Sequence, residues 1–256
     1  PNVDKGEFFI NKMMNSISHR GPDSRGYFED SELGVYLANT RLSIIDIAGS
    51  HQPIIDNELG KVLVFNGEIY NHWELRRKVE KIERIQWKGT SDTESLLECC
   101  RVFGVRTTLD LVDGMFAFAL YDKVERLIYL CTDRFGEKPL YFGEVDNSGV
   151  LGFASEISAF ESHPSFHWKV SLSAIQNFFA LGYVPHGLSI YQGIIKVKPG
   201  TVIEVSRICS GDMRFEQREY WKHFTAESTQ FVKPSRSSQT YLDVLDTKLE
   251  RSVRSR

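Results

Sequence analysis

The sequence predicts an α+β protein built on antiparallel β-sheets. Its middle part contains many short apolar runs of strand length, whereas the amphipathic helical patterns are grouped at particular places. Two of the runs, residues 115–122 and 126–132, are joined by a few polar residues, which is typical of a β-hairpin. This order favours antiparallel sheets over the regular strand–helix alternation of a parallel sheet.

The first predicted element is a helix over about residues 7–18, because Phe9, Met13 and Ile17 recur at helical spacing. A charged loop, HRGPDSRG at residues 19–26, follows it, and its Gly-Pro pair prevents the helix from continuing. One interpretation of this loop is a solvated turn without a functional role.

Arg41 opens the run RLSIID, whose apolar residues predict a buried strand over residues 41–46. A guanidinium at the edge of such a strand needs an anionic partner, or else its side chain extends into water. The sequence pattern alone leaves both interpretations open.

Residues 62–71, which read VLVFNGEIYN, combine a buried strand with a group of polar residues. The apolar run stops at Asn66-Gly67, a pair that marks a tight turn, and Glu68 follows directly. One interpretation is a plain β-turn in which these two residues are present only for their backbone dihedrals. The other is an active site, because such sites are commonly built where a buried strand ends.

Two helices are predicted after this stretch. Asn71 and Glu74, and then Ser91 and Glu94, have the spacing of a capping box, in which the first residue caps the helix and the second reaches back. Asp92 lies in the first turn of the second helix, where a carboxylate also favours the helix dipole. This structural role is an alternative to a ligand-binding role for Asp92.

The C-terminal part of the sequence changes character after residue 222. Residues 223–240 are rich in Ser, Thr and Gln and predict a linker. Residues 241–256 predict a new amphipathic helix with four apolar residues on one face, namely Leu242, Leu245, Leu249 and Val253. We expect this helix to open a second domain.

Composition and charge exclude several classes of protein. A hydrophobic content of 41% is ordinary for a chain of 256 residues that buries a core. The 31 Lys and Arg residues against 34 Asp and Glu residues leave a net charge of −3, which indicates no broad attraction to nucleic acid or to an anionic membrane. The longest apolar run, residues 115–121, is too short to span a bilayer. We therefore expect a cytoplasmic protein with no nucleic-acid or membrane partner.

The four cysteines predict neither a metal site nor a redox motif. Cys99, Cys100, Cys131 and Cys209 form no CxxC pair, and neighbours on a helix do not face one another. Their spacing alone does not exclude disulfides. Reduced, buried thiols are the expectation for a cytosolic protein.

Together, the polar residues named above suit the recognition of a small zwitterion. Arg41 could hold a carboxylate in a bidentate contact, and Glu68 and Asp92 could hold an ammonium group. The Asn66 side chain and the Gly67 backbone offer N–H donors for an oxyanion hole. The spacing of these residues does not by itself show that they meet in space.

Six motifs occur in order between residues 18 and 157: HRGPDSRG, RLSIID, FNGEIYN, TSDTE, DRFGEKPLYF and FASEI. With these motifs the chain resembles the glutaminase half of glutamine-dependent asparagine synthetases, from its start to the Tyr220-Trp221 pair. The resemblance implies a class II glutamine amidotransferase domain with the N-terminal-nucleophile hydrolase fold, a four-layer α/β/β/α sandwich of two antiparallel sheets. It assigns residues 1–222 to the glutaminase domain and residues 241–256 to the first helix of an ATP-dependent synthetase domain.

The resemblance also implies roles for individual residues. Arg41 would bind the α-carboxylate of glutamine, and Glu68 and Asp92 would bind its α-ammonium group. Asn66 and Gly67 would form the oxyanion hole. The pocket would be lined by backbone groups of the segment that contains Leu42, Ile44 and Ile45.

The reaction implied is the hydrolysis of glutamine to glutamate and ammonia. The ammonia would pass to a C-terminal synthetase domain, where ATP and Mg²⁺ activate aspartate as an acyl-adenylate. The resemblance implies no cofactor and no metal in the glutaminase domain, and it is compatible with a homodimer.

One departure from the family concerns the nucleophile. In the family this is a cysteine at the mature N-terminus, followed by a short apolar strand, whereas this sequence starts at Pro1. The Gly- and Ser-rich ATP-binding loop of the synthetase domain is not in the sequence either. We therefore expect a chain that lacks the nucleophile segment and most of the synthetase domain, and that hydrolyses no glutamine.

Two alternatives remain open from the sequence. The first is a glutamine-binding module that has lost its nucleophile and keeps the pocket. The second is an amidotransferase of the same family that acts on a carboxylate acceptor other than aspartate, since acceptor choice would lie in the synthetase domain.

Overall fold

The structure is a computed structural model that describes residues 3–42, 51–146, 149–207, 213–222, 238–254 and 256. Seven α-helices are formed in these residues: α1 Val3–Ser16, α2 His72–Glu80, α3 Asp92–Phe103, α4 Val105–Leu111, α5 Ser158–Glu161, α6 Leu172–Leu181 and α7 Ser238–Arg254. The strands are β1 Ser24–Asp30, β2 Val35–Arg41, β3 Ile54–Asp56, β4 Lys61–Ile69, β5 Gly114–Asp122, β6 Leu127–Thr132, β7 Tyr141–Glu144, β8 Leu151–Ala154, β9 Ile194–Lys196, β10 Thr201–Arg207 and β11 Met213–Glu219. Across the described ranges, no helix has the length and apolar character needed to cross a bilayer.

The larger sheet has six antiparallel strands in the order β11-β10-β6-β5-β4-β3. The predicted hairpin is its centre, formed by β5 and β6 around a turn in which Arg126 has a φ of 56°. β4 pairs with β5 along the whole length of both strands. The sheet is therefore held together by pairs of strands that are close in sequence and by two longer-range pairings, of β4 with β5 and of β6 with β10.

The second layer of strands consists of two separate antiparallel pieces, β1-β2 and β8-β7-β9. It packs against one face of the larger sheet through a shared apolar core. That core is formed by Leu37, Val62, Val64, Ala117, Ala119, Tyr121, Leu130, Leu140, Phe142, Val197, Ile203 and Val205.

Helices cover the outer faces of both strand layers. α2, α3 and α4 bury their apolar faces on the larger sheet, against Leu63 and Phe65 of β4 and the alternating phenylalanines of β5. α1 and α5 pack on the second layer, around Phe160. The architecture is a four-layer α/β/β/α sandwich, as predicted.

The structure contradicts the predicted turn at Asn66-Gly67. Both residues lie inside β4, which continues to Ile69, and they pair with Ala117 and Phe116 of β5. The long-range pairing with β5 overrides the local turn preference of the Asn-Gly pair, because it gives alternate residues of this segment, Asn66 and Glu68 among them, backbone hydrogen-bond partners.

Another local prediction, the cap at Asn71, is also wrong, and a third is only partly described. Arg41 ends β2, and residues 43–46 of the predicted strand lie outside the described residues. Asn71 precedes α2 but makes no side-chain cap. Its side-chain amide instead donates to the backbone carbonyl of Leu111 (2.9 Å), and its side-chain oxygen accepts from the backbone amide of Asp113 (2.9 Å). The second predicted cap is correct, since the Ser91 hydroxyl accepts from the backbone amide of Glu94 (3.2 Å).

α7 begins at Ser238, and its four predicted apolar residues are all exposed. Most of the predicted linker, residues 223–237, lies outside the described residues. The assignment of this helix to a second domain stays a prediction.

The buried carboxylate of Asp133 organises the DRFGEKPLYF motif. It accepts hydrogen bonds from the backbone amides of Phe116 (3.1 Å), Phe135 (2.8 Å), Glu137 (3.1 Å) and Lys138 (3.1 Å). Charge-assisted bonds of this kind are stronger than neutral ones. Asp133 thereby fixes both the loop and the end of β5, where Phe116 faces Gly67.

We expect the substitution Asp133→Ala to lower the free energy of unfolding by about 3 kcal/mol or more, because it leaves several buried N–H groups without an acceptor. The measurement is urea unfolding monitored by circular dichroism. Asp110→Ala, at an exposed carboxylate on α4, is the control and should change stability by less than about 0.5 kcal/mol. Equal stabilities of the two variants would contradict this role for Asp133.

Candidate functional site

The alternating geometry of β4 determines which groups reach the candidate site. Side chains of Val62 and Val64 enter the core between the strand layers, whereas Leu63 and Phe65 face the helices. Because side chains alternate along a strand, Asn66 shares the face of Val64, and it lines a cavity between the layers.

The backbone amides of Phe65, Gly67 and Ile69 form a row along one edge of β4. Phe116, opposite Gly67, directs its own amide and carbonyl to Asp133, on its other side. Gly67 and Phe116 are therefore a non-hydrogen-bonded pair, and the Gly67 amide points away from β5. β3 pairs only with residues 61–63 and does not extend to this position.

Side chains occupy the two outer amides of this row. The Gln52 carbonyl oxygen accepts from the amide of Phe65 (2.7 Å), and the Asp92 carboxylate accepts from the amide of Ile69 (3.0 Å). Between them, the structure gives the Gly67 amide no acceptor among the described residues. A donor that points outward from a fixed strand is suited to bind a substrate oxygen.

Gly67 tolerates no side chain at its position. Its φ is 154°, and a Cβ would overlap the carbonyl oxygen of Met115 and lie 2.7 Å from the Cα of Phe116. The glycine is therefore required by the close approach of β5, rather than by the turn that the sequence suggested.

The hydrogen bond between Asp92 and the amide of Ile69 brings two predicted ligand-binding residues, Glu68 and Asp92, to the same place. Asp92 is the first residue of α3, and Ile69 directly follows Glu68. The start of α3 is thus attached to the end of β4, and both carboxylates lie at the same end of the strand. Asn66, Gly67, Glu68 and Asp92 form one cluster, which we call the β4–α3 site.

His72 belongs to the surroundings of this site, although the sequence analysis did not single it out. Its Nδ1 is buried and has no hydrogen-bond partner in the described structure. Burial lowers the pKa of His72 below its ordinary value, and Arg76 adds to this effect, while the charges of Asp92 and Glu68 oppose it. The only sequence signal for His72 is its position four residues after Glu68.

Arg41 lies on a strand that runs close to β4. The Asn39 amide, two residues earlier and therefore on the same face, donates to the carbonyl of Phe65 (3.5 Å). The HRGPDSRG loop packs against the same strand end, since a Cβ on Gly21 would overlap the backbone of Arg41. The structure therefore places Arg41 at the end of β2, two residues after the residue that contacts Phe65 of β4.

The predicted pocket wall after Arg41 is only partly described. Leu42 directly follows β2 and is half exposed. Ile44 and Ile45 lie outside the described residues, so their pocket-lining roles stay predictions.

Two of the sequence motifs meet through an ion cluster of His19, Arg20 and Glu156. The Glu156 carboxylate accepts from Arg20 (2.9 Å) and contacts the His19 ring nitrogen (3.1 Å). Partial burial would raise the pKa of Glu156, but the hydrogen bonds from Arg20 and His19 outweigh it and hold the pKa below its usual value. This cluster joins the HRGPDSRG loop to FASEI and is a structural link between motifs.

A cavity of about 730 Å³ lies between the two pieces of the second strand layer. Residues of β2 line one side and residues of β8 line the other, with Asn66 and the middle of β5 below and α1 above. Among the described strands, β2 pairs only with β1, apart from a single bridge between Pro22 and Arg41, and β8 is the edge strand of its sheet. Two strand edges without a partner strand in the described residues therefore border the cavity. We call this space the strand slot.

The described cysteines are not placed to act as nucleophiles. Cys99, Cys100 and Cys131 are free and buried, which confirms the prediction of reduced thiols for these three. They belong to the core on the helix side of the larger sheet, opposite the strand slot. Burial raises the pKa of the Cys99 and Cys100 thiols to about 12, so neither provides a thiolate near neutral pH. Cys209 lies outside the described residues.

The chain matches a family described as the glutamine amidotransferase domain over residues 2–221. Glutamine-hydrolyzing asparagine synthetase 2 of Bacillus subtilis (strain 168) is 38% identical over 180 residues, which are 68% of this chain and 23% of that protein. Glutamine-hydrolyzing asparagine synthetase 1 of the same organism is 32% identical over 234 residues, 91% of this chain and 36% of that protein. The chain thus spans well under half the length of these curated relatives.

A solved structure shares the fold. Glutamine phosphoribosylpyrophosphate amidotransferase from Bacillus subtilis, complexed with ADP and GMP, superposes with a TM-score of 0.58 at 17% identity, over 85% of this chain and 47% of that one. At this identity the likeness shows the fold alone. The predicted fold class is confirmed.

We expect Gly67→Ala to destabilise the protein by about 3 kcal/mol or more, because the added methyl group meets the β5 backbone in addition to the dihedral strain. Gly182→Ala is the matched control. Gly182 has a φ of 79° with no atom within 4 Å of its Cβ position, so only strain of about 1 kcal/mol is expected there. Denaturant unfolding of both variants checks this difference, and equal losses would show that β5 does not restrict Gly67.

Proposed function

This chain belongs to the glutamine amidotransferase domain family, and we propose that it is the glutaminase portion of a glutamine-hydrolysing asparagine synthase. In this proposal glutamine is hydrolysed to glutamate and ammonia, and the ammonia passes to a synthetase portion that amidates aspartate with ATP and Mg²⁺. The observation that carries the proposal is the outward amide of Gly67 beside the clustered carboxylates of Glu68 and Asp92. A homodimeric assembly and a cytoplasmic location belong to the same proposal.

Charge complementarity supports glutamine as the ligand. Glu68 and Asp92 provide negative charge at one end of the site for the α-ammonium group. Arg41 provides a guanidinium on the neighbouring strand for the α-carboxylate, and this group forms bidentate contacts with carboxylates. In the same proposal, the segment with Leu42, Ile44 and Ile45 lines the pocket.

Electrostatic stabilisation of the reaction would come from Asn66 and Gly67. Attack on the side-chain amide carbon of glutamine turns its carbonyl oxygen into an oxyanion. The Gly67 amide and the side-chain amide of Asn66 would donate to that oxygen. A single donor of this kind is typically worth about 2.7–4 kcal/mol of transition-state stabilisation.

The strand slot suggests how a nucleophile reaches this site. Open strand edges bind extended segments through backbone hydrogen bonds, and the slot is bordered by two such edges. We propose that an extended apolar segment with a terminal cysteine occupies the slot and presents its thiol beside Asn66. The α-amino group of that cysteine would take the thiol proton and pass it to the departing nitrogen, so that a thioester forms as ammonia leaves. Water would then hydrolyse the thioester to glutamate and the free thiol.

The exposed apolar stripe of α7 supports the assignment of this helix to a synthetase portion. Leu242, Leu245 and Leu249 are each more than half exposed. A helix with such a stripe is stabilised when it packs against further protein.

We expect Arg41→Ala to weaken glutamine binding by about 10-fold to 100-fold, the range for loss of a hydrogen bond to a charged group. Isothermal titration calorimetry measures this affinity. Arg25→Ala is the matched control, because Arg25 is exposed on the adjacent strand β1 and its removal changes the net charge equally. Unchanged affinity of Arg41→Ala would remove this residue from the site.

Glutaminase activity should appear when the chain is extended at its N-terminus by a short apolar strand that begins with cysteine. The expected result is glutamine-dependent ammonia release, measured in a coupled assay, because the extension places a thiol beside the oxyanion donors. The unextended chain and an extension that begins with alanine should release none above a buffer control. Ammonia release by the unextended chain, or none by the cysteine extension, would contradict the proposal.

A further inference from the structure

Arg76 is a buried arginine on α2 that binds the segment around the start of α3. Its Nε donates to the hydroxyl of Ser95 (2.8 Å), and its terminal nitrogens donate to the carbonyl oxygens of Gly89 (2.9 Å) and Ser91 (3.0 Å). One terminal nitrogen also contacts the carboxylate of Glu94 (3.2 Å). All three nitrogens of the guanidinium therefore bind groups of one short segment.

Two indole rings lie beside the faces of the same guanidinium. Its central carbon is 4.1 Å from the ring centroid of Trp87 and 5.3 Å from that of Trp73. Cation–π contacts of this kind are strengthened where water is excluded. The guanidinium is thus constrained along its edges by hydrogen bonds and at its faces by aromatic rings.

The partners of Arg76 are also bound to one another. The Glu94 carboxylate accepts from the backbone amides of Lys88 (2.6 Å) and Gly89 (3.1 Å). The Ser91 hydroxyl accepts from the amide of Glu94 (3.2 Å). Residues 88–95 therefore form a single block around the cation.

Asp92 lies in the middle of residues 88–95, but its carboxylate bonds to a group outside this segment. Its neighbours Ser91 and Glu94 contact Arg76, whereas its own carboxylate reaches out to the amide of Ile69 on β4. The direction of the Asp92 carboxylate is set by the orientation of the first turn of α3. That orientation depends on the bonds made by Arg76.

We propose that Arg76 is a positioning residue of the glutamine pocket, which holds the start of α3 so that Asp92 meets the ammonium group of the ligand. The identity of the ligand rests on the proposed function above. The role differs from general support of the fold, because it acts on one end of the ligand. Loss of Arg76 should weaken recognition of the ammonium group and leave the carboxylate and amide contacts in place.

The test compares two ligands that differ only at this end. Glutamine carries the α-ammonium group, and 4-carbamoylbutanoate lacks it. In calorimetric titrations, Arg76→Met should weaken glutamine binding about ten-fold and 4-carbamoylbutanoate binding less than about two-fold, since only the contact with a charged group is lost. Equal weakening for both ligands would assign Arg76 a general structural role and overturn the proposal.

Four further variants control the comparison. Arg101→Met removes a similarly paired arginine from the far end of α3 and should change neither affinity. Asp92→Asn should reproduce the ligand preference of Arg76→Met, and the double variant should add little to it, because both act on one contact. If Arg76→Met does not fold, Ser95→Ala removes one of the four bonds and should shift the preference in the same direction; no shift would overturn the proposal.

A second measurement needs no ligand. Hydrogen exchange of the Ile69 amide should become faster in Arg76→Met than in the unsubstituted protein, and should stay unchanged in Arg101→Met. An unchanged rate in Arg76→Met would overturn the positioning role. Absence of glutamine binding by the unsubstituted protein would instead refute the proposed function, and the exchange rates would then decide the role of Arg76 alone.

Discussion

The pairing of β4 with β5 connects the core of this protein to its candidate site. The register places Val62 and Val64 in the core between the strand layers and Leu63 in the core under the helices. The same register turns the amide of Gly67 away from β5. A slip of one residue would exchange the two faces of β4 and reverse the direction of every amide, so packing energy also specifies the geometry of the site.

In the described part of the chain, the carboxylate of Asp92 is held by a neutral group rather than by a cation. Asp92 accepts from the backbone amide of Ile69, and the neighbouring His72 has its pKa lowered mainly by burial. At neutral pH His72 therefore adds no positive charge to offset Glu68 and Asp92. The negative charges of Glu68 and Asp92 suit the ammonium group of the proposed ligand. The buried cation Arg76 is directed instead to Glu94 and the loop carbonyls.

The two pieces of the second strand layer leave backbone edges on β2 and β8. Unpaired edges are sites where extended segments bind, and here they enclose a cavity whose lower side contains Asn66. The fold thus places the outward amide of Gly67 and the side chain of Asn66 beside a cavity that is bordered by strand edges. This combination links the incomplete second layer to the chemistry proposed for the site.

Local patterns in the sequence determined the β5–β6 hairpin, the cap at Ser91 and the overall α+β class, because these depend on side-chain periodicity and turn chemistry within a few residues. The order of the motifs identified the family and located the candidate residues. The course of the chain at Asn66-Gly67 was decided only by the tertiary structure, because pairing with β5 outweighs the turn preference of that dipeptide. The contacts of Asp92 with Ile69, and of Gln52 with Phe65, join segments that are distant in sequence. Such contacts depend on how sheet and helix pack together, and no local pattern records that packing.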